Sequence, residues 1–189
     1  DGNGNLEYLD AGLTTRKLKV HRVNALDLDA LSARFANHPV GPLSGAERAE
    51  FSFKGADFTV EFGSPHKRDR ELFGGIVPYG EVWRTGANRA THFYASKDLS
   101  FAGLKVPAGE FTLFSIPEAE GGTLIINRQT GQNGTSYDES RDLGRVPMQV
   151  TTKEEVTEAF TITLEETEEG GRINLIWGNT VYSADFVIK

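Results

Sequence analysis

The sequence predicts an all-β protein, either an antiparallel β-sandwich or a jelly-roll-like barrel, with one short N-terminal helix. Apolar and polar residues alternate with a period of two in many short stretches, and the turns between these stretches are rich in Gly and Pro. A helical period occurs once, near the N-terminus. Many short strands without intervening helices are typical of sandwiches and barrels.

The chain is predicted to have two parts, an N-terminal extension at residues 1–41 and a β-sandwich domain at residues 42–189. Residues 1–12 are rich in Gly and Asn and predict a weakly packed leader. Residues 16–23 alternate charged and apolar side chains, which predicts a short strand. The length of 189 residues suits one domain with a substantial core.

One short helix is predicted between Asp27 and Pro39. Asp27 is a suitable N-cap, because its carboxylate accepts from the first free backbone N–H groups. Leu28, Leu31 and Phe35 then fall on one helical face, and the proline ends the run.

Strands are predicted throughout the second part. Phe58, Val60 and Phe62 alternate with polar residues, and residues 160–165 repeat the pattern. Pro147 predicts an edge or a bulge in its strand, because proline lacks a backbone donor. Further strands are predicted at 90–96, 98–106 with a turn at Gly103, 109–116, 122–128 and 145–151.

Gly178 and Asn179 predict the two-residue turn of a C-terminal hairpin. In that register Leu175 lies opposite Tyr182, so that the large apolar residues of both strands share one face. The same register places Trp177 opposite Thr180 and Ile173 opposite Ala184.

Composition limits the function classes. A net charge of −7 argues against nucleic acid as a partner, because phosphate binding requires a positive face. The absence of cysteine excludes disulfides, thiol catalysis and thiolate metal sites. The apolar runs are too short for a transmembrane segment. The numbering begins at Asp1 rather than Met, and we expect that a signal segment has been removed.

The most unusual stretch is residues 64–92, which we call the central segment. It interrupts the period of two, yet it keeps large apolar residues, and it carries Arg68, Arg70, Arg84 and Arg89. A long apolar connection outside the strands must pack on the scaffold, and ordered loops of this kind often carry binding sites.

Residues 73–88, FGGIVPYGEVWRTGAN, followed by Ala90 and Thr91, resemble the signature of the bacterial family catalogued as domain of unknown function 2911. Residues 106–109, 112–114 and 177–179 support the resemblance, which covers roughly 42–188. It implies a β-rich domain that is exported or lipid-anchored, and hence a periplasmic or cell-envelope location. It implies no established activity.

Arg84 is a candidate for ligand binding, because a guanidinium presents paired donors in one plane to a carboxylate, sulfate or phosphate. The favoured interpretation is structural: Arg84 pairs with an internal carboxylate such as Glu81 or Asp138 and anchors the segment. Residues 127–142 form a polar loop that is a candidate second wall of a cleft. The candidate ligand-binding residues are Tyr79, Trp83, Arg84, Thr85, Asn88, His92, Tyr137, Asp138 and Arg141.

Trp83 and Tyr79 are suited to stacking on a sugar or another flat ligand, while burial under the segment is the alternative for Trp83. His66 and His92 flank the segment, but their spacing is not that of a metal site, and no metal or other cofactor is expected. A serine hydrolase is disfavoured, because the chain has no Gly-x-Ser-x-Gly run.

Two functions remain open from the sequence. The favoured one is an envelope domain that binds a small anionic or sugar-like ligand, or a protein partner, through the central segment. The alternative is a hydrolase or lyase that uses His92 with Glu81 or Asp138, and Arg84 as the charge stabiliser. Convergence of these side chains in one cavity would favour the enzyme.

Overall fold

The described part of the chain consists of two compact units, which divide between residues 41 and 42. The structure is a computed structural model, and it describes residues 5–11, 18–36 and 44–189. None of the helices in these ranges combines the length and the hydropathy that a membrane span requires.

The N-terminal unit contains a β-hairpin and a helix. Strand β1 (Tyr8–Ala11) pairs antiparallel with β2 (Leu18–His21), and helix α1 spans Leu28–Phe35. The Asp27 side chain accepts from the Ala30 N–H at 2.9 Å, which confirms the predicted N-cap. Strand β1 pairs along its whole length with β2, while the described residues 5–10 of the predicted leader are all exposed. Pro39 lies outside the described residues.

Over residues 44–189, the second unit contains nine strands and one short 3-10 helix, Glu139–Arg141. The strands form one antiparallel sheet in the order β3-β4-β5-β8-β9-β10-β11-β6-β7. Their bounds are β3 Gly45–Phe53, β4 Ala56–Ser64, β5 Thr91–Ala95, β6 Leu99–Phe101, β7 Leu104–Val106, β8 Gly109–Glu118, β9 Gly121–Asn127, β10 Asp142–Glu166 and β11 Gly170–Ile188. The predicted all-β class is confirmed, and the architecture is sandwich-like rather than a closed barrel.

The sheet folds over itself around one core. Phe58 of β4 packs against Phe186 of β11, with ring centroids 5.6 Å apart, and Phe62 of β4 packs edge-on against Phe160 of β10 at 5.8 Å. These strands are far apart in the strand order, so the contacts join opposite layers. Phe58 and Phe62 are buried with Val60, as their alternation predicts.

The predicted C-terminal hairpin is wrong. Residues 170–188 form one continuous strand, in which Leu175 faces Ile162 and Tyr182 faces Val150 on β10. Gly178 has a φ of 61° and lies where the register between β10 and β11 shifts. A glycine with positive φ suits a β-bulge as well as a turn, and the long strand β10 supplies a partner on both sides of it. Trp177 and Thr180, like Ile173 and Ala184, are therefore not opposed.

Pro147 lies where β10 is paired on one side. It faces Thr123 of β9, whereas the pairing of β10 with β11 begins at Gln149. The prediction of an edge position is confirmed at this residue, because a proline has no N–H to give to a second neighbour.

The central segment connects β4 to β5 and is folded down onto the sheet. It contains no regular strand between 65 and 90, and isolated bridges fasten it, among them Trp83 with Ser115 of β8. Its backbone approaches β4 so closely that a Cβ atom at Gly63 would lie 1.9 Å from the Ala87 carbonyl oxygen. The segment also carries four non-glycine residues with positive φ, namely Arg68, Asp69, Thr85 and Asn88. Such strained residues persist where the surrounding structure fixes them, often at functional sites.

Candidate functional site

A cavity of about 490 Å³ lies under the central segment, and we call it the arginine cavity. Its polar side chains come from three arginines, a serine and an asparagine, and among the described residues no carboxylate lines it. Three guanidinium groups without lining carboxylates make the cavity a positive site in an acidic protein. The polar lining residues are Ser44, Arg68, Arg70, Arg84 and Asn88.

Arg84 has no hydrogen bond or ion pair in the described part of the chain. Its Nε atom is buried and lacks a hydrogen-bond partner, while the side chain as a whole is half-buried. The predicted structural role, in which Arg84 pairs with Glu81 or Asp138, is not observed, because Asp138 binds Ser140 and Arg141 instead. A buried donor without a partner is uncommon in proteins, and it calls for an explanation.

Arg70 is held in place by the turn that precedes it. Its Nε donates to the Lys67 carbonyl at 3.0 Å and its Nη2 donates to the His66 carbonyl. The Arg68 backbone N–H donates to the Glu158 carboxylate at 2.9 Å, and its backbone has a φ of 49°. These contacts fix the chain at residues 66–70 and bring both arginine side chains to the cavity.

An aromatic pair forms part of the apolar wall. The indole N–H of Trp83 donates to the Gly86 carbonyl at 3.1 Å, and that of Trp177 donates to the Glu158 carbonyl at 3.2 Å. Because both N–H groups are used within the protein, neither indole has a free donor for a ligand. The half-buried Trp83 presents apolar ring surface to the cavity, and Trp177, which is 1% exposed, packs against Trp83. The apolar lining side chains are Pro65, Ile76, Val77, Trp83, Ala87 and Trp177.

Thr85 fixes the backbone beside Arg84. It is fully buried with a φ of 54°, a rare conformation for a β-branched residue. Its hydroxyl bonds to the Ser115 hydroxyl at 2.9 Å, and its carbonyl accepts from the Thr91 hydroxyl at 2.6 Å. Thr85 is therefore a structural support of the site.

Asn88 lies at the border between two cavities and lines both. The side-chain amide of Asn88 donates to the Ser44 carbonyl at 3.3 Å, and the backbone carbonyl of Asn88 accepts from the Gly134 N–H at 3.2 Å. Gly134 also packs against the Arg84 stem, since a Cβ atom there would lie 2.2 Å from Cδ. The polar loop thus contacts the central segment through its glycine.

The other candidate residues of this loop lie elsewhere. Tyr137 donates its hydroxyl to Asp142 at 2.8 Å and accepts from Arg145 at 2.9 Å. Burial, reinforced by the hydrogen bond to Asp142, raises the pKa of Tyr137 to about 12. Asp138 caps the 3-10 helix at the Ser140 N–H, and Arg141 lies 4.0 Å from this carboxylate. None of the three predicted residues lines the arginine cavity.

Tyr79 is 44% exposed and also lies outside the cavity lining. Its ring lies over Gly74, where a Cβ atom would come within 2.7 Å of the ring. The neighbouring Gly80 N–H donates to the Pro117 carbonyl at 2.9 Å, which fastens this tip of the segment to β8. Tyr79 is thus a surface aromatic of the segment.

His92 is buried on β5 and lines a neighbouring cavity of about 370 Å³ between the central segment and β3–β4. Its Nδ1 donates to the Ala90 carbonyl at 2.9 Å, and its Nε2 accepts from the Gly131 N–H at 2.7 Å. Both ring nitrogens are engaged, which assigns the neutral Nδ1-protonated tautomer. The structure does not bring His92, Arg84 and a candidate carboxylate together in one cavity.

Within the described ranges, no group of three or more His, Asp or Glu side chains is arranged to hold a metal ion. The sequence prediction of site residues omitted Arg68, Arg70 and Trp177. The density of arginines in the central segment was a usable signal for the first two. Trp177 comes from a distant strand, and only the fold brings it to the cavity.

Comparison with known proteins identifies one family model. The model described as "Protein of unknown function (DUF2911)" matches residues 44–186. No curated protein and no solved structure matches the chain. The matched range includes the whole arginine cavity.

Proposed function

We propose that this chain, which belongs to the DUF2911 family of proteins of unknown function, binds a small anionic ligand in the arginine cavity. One observation carries the proposal: Arg84 directs no hydrogen bond or ion pair at any described residue and has a buried, unpartnered Nε in a cavity without lining carboxylates. A carboxylate or phosphate group supplies the acceptors that such a guanidinium lacks.

The size of the cavity supports a small-molecule ligand. A volume of about 490 Å³ falls in the range of roughly 300–1,000 Å³ that is usual for ligand sites. Arg70 supports the same proposal, because its guanidinium is held by backbone carbonyls and is positioned before any ligand arrives. Pre-organised donors reduce the entropic cost of binding.

A panel of paired anionic and neutral compounds tests the proposal. Glucuronate and glucose form one pair, benzoate and benzyl alcohol a second, and inorganic phosphate is added alone. We expect at least one anion to raise the melting temperature of the whole chain, because a ligand of the folded state stabilises it by mass action. We expect its neutral counterpart to have a smaller effect.

Arg84→Gln gives the decisive comparison, with Arg89→Gln as the matched control. Both substitutions remove one positive charge from the central segment, but the exposed Arg89 does not line the arginine cavity. Loss of a charge-assisted pair should weaken anion binding about tenfold or more in Arg84→Gln alone. Equal affinity in the two variants, or no response to any anion, would overturn the proposal.

The predicted enzyme has less support. His92 lines the neighbouring cavity with both ring nitrogens engaged, Asp138 caps the 3-10 helix, and Glu81 is exposed. General acid–base catalysis requires these groups within hydrogen-bond reach of one reacting atom.

We also propose a periplasmic or cell-envelope location, which the resemblance to the family motif implies. Fractionation of cells that express the full-length gene tests it. Recovery of the protein with the periplasmic or membrane fraction is expected, and recovery with the cytosol would contradict it.

A further inference from the structure

We propose that the arginine cavity selects organic acids that carry an apolar ring or chain over small inorganic anions. This inference rests on the proposed function and names the ligand class for that same site. It follows from the apolar half of the lining, which anion binding alone does not require.

The cavity has room for more than a compact anion. Its volume of about 490 Å³ is more than ten times the roughly 30 Å³ that one water molecule occupies in the liquid. A four-oxygen anion bound to Arg84 would leave most of this space to water. A ligand with a body attached to its acidic group fills the space and keeps the same ion pair.

The cavity wall beside Arg84 is suited to contact an apolar group of a ligand. Trp83 precedes Arg84 in the chain, and both residues line the cavity, so one ligand can meet a ring and a guanidinium at once. The indole N–H groups of Trp83 and Trp177 both donate to protein carbonyls. The exposed part of the Trp83 ring can therefore contribute only dispersion and the exclusion of water, which favour an apolar group.

Ile76 adds a partly exposed apolar side chain to the lining. It lines the cavity and is 41% exposed. An apolar ligand body would cover it. Val82, in the same segment, is 42% exposed but does not line the cavity, and it provides a matched control.

Intrinsic fluorescence is a direct reporter of this site. The chain contains two tryptophans, Trp83 and Trp177, and both line the cavity. Titrations of the whole chain with benzoate, acetate and inorganic phosphate, followed by tryptophan emission and by calorimetry, give three dissociation constants. We expect benzoate to bind about tenfold more tightly than acetate or phosphate, which is a modest gain for the burial of one ring.

Ile76→Ser should weaken benzoate binding several-fold and leave phosphate binding unchanged, whereas Val82→Ser should change neither. Acetate or phosphate binding as tight as benzoate binding would overturn this inference and leave the proposed function intact. Silence of benzoate, acetate and phosphate would overturn this inference, and silence of glucuronate as well would overturn the proposed function. Benzyl alcohol binding as tightly as benzoate would overturn the anionic site itself.

Discussion

The indole planes of Trp83 and Trp177 are parallel within 8°, and their ring centroids lie 6.1 Å apart. Trp83 belongs to the irregular central segment and Trp177 to strand β11, so this contact attaches the segment to the sheet. Phe73 and Phe160 meet both indoles edge-on, at centroid distances between 5.0 and 6.3 Å. The wall of the arginine cavity is therefore also a part of the hydrophobic core.

Truncation of Trp177 should destabilise the fold strongly. The side chain is 1% exposed, and Trp177→Ala should cost about 3–5 kcal/mol through lost burial and the cavity it leaves. Trp83→Ala should cost less, because this indole is only half-buried. Urea unfolding of the two variants measures the difference. A cost below that of Trp83→Ala would contradict the place of Trp177 in the core.

Gly63→Ala should disturb the arginine cavity by displacing the central segment that lines it. The added Cβ would lie 1.9 Å from the Ala87 carbonyl oxygen and would push the central segment off β4. We expect a stability loss of about 1–3 kcal/mol from overpacking, together with weaker anion binding. Gly45→Ala is the matched control, since its nearest neighbour would be a flexible Glu47 oxygen at 3.6 Å. Equal behaviour of the two variants in unfolding and titration would refute the close approach.

Much of the scaffold could be predicted from the sequence because its period is local. Phe58, Val60 and Phe62 are buried as their alternation requires, and Asp27 caps its helix. The Gly178 bulge could not be predicted in the same way. A Gly-Asn pair fits a tight turn or a bulge equally well, and the partner strand, which is remote in sequence, decides between them.

The candidate site was predicted in part, for a similar reason. Trp83, Arg84 and Asn88 line the cavity because they are close in sequence and on one packed segment. Tyr137 is a predicted ligand-binding residue of the polar loop, yet this loop approaches Arg84 through Gly134, while the tyrosine hydroxyl donates to Asp142. Composition identified the loop as a neighbour of the segment but did not reveal which of its residues face Arg84.

Substitution of His92 should lower stability and spare anion binding, whereas substitution of Arg84 should weaken anion binding and spare stability. His92→Phe removes the acceptor of the Gly131 N–H and should cost about 1–3 kcal/mol of stability, because a part-buried donor loses its partner. It should leave anion binding in the arginine cavity nearly unchanged. Arg84→Gln should weaken binding with little loss of stability, since Arg84 makes no described hydrogen bond or ion pair. Paired unfolding and titration of both variants check this. Loss of anion binding in His92→Phe would instead support one site that contains both His92 and Arg84.

The alkaline limit of stability should depend on Tyr182. Its hydroxyl donates to the Glu118 carbonyl at 2.7 Å, and burial, reinforced by the charges of Tyr79 and Glu118, raises its pKa from 10.0 to about 12. The folded state therefore holds this proton more tightly than the unfolded chain does. The stabilisation is complete below pH 10, the unfolded value, and is lost as the pH rises toward about 12.

Tyr182→Phe should flatten this alkaline decline. At neutral pH the variant should lose about 0.5–1.5 kcal/mol with the hydrogen bond to Glu118. Between pH 10 and about 12 its free energy of unfolding should fall less steeply than that of the unsubstituted chain, because a tyrosine with a raised pKa has been removed. Tyr137→Phe should act in the same window, since the pKa of Tyr137 is also raised to about 12, and the two effects should add in the double variant. Urea unfolding across this range measures the slopes, and an unchanged slope in Tyr182→Phe would show that its hydroxyl titrates as it does in the unfolded chain.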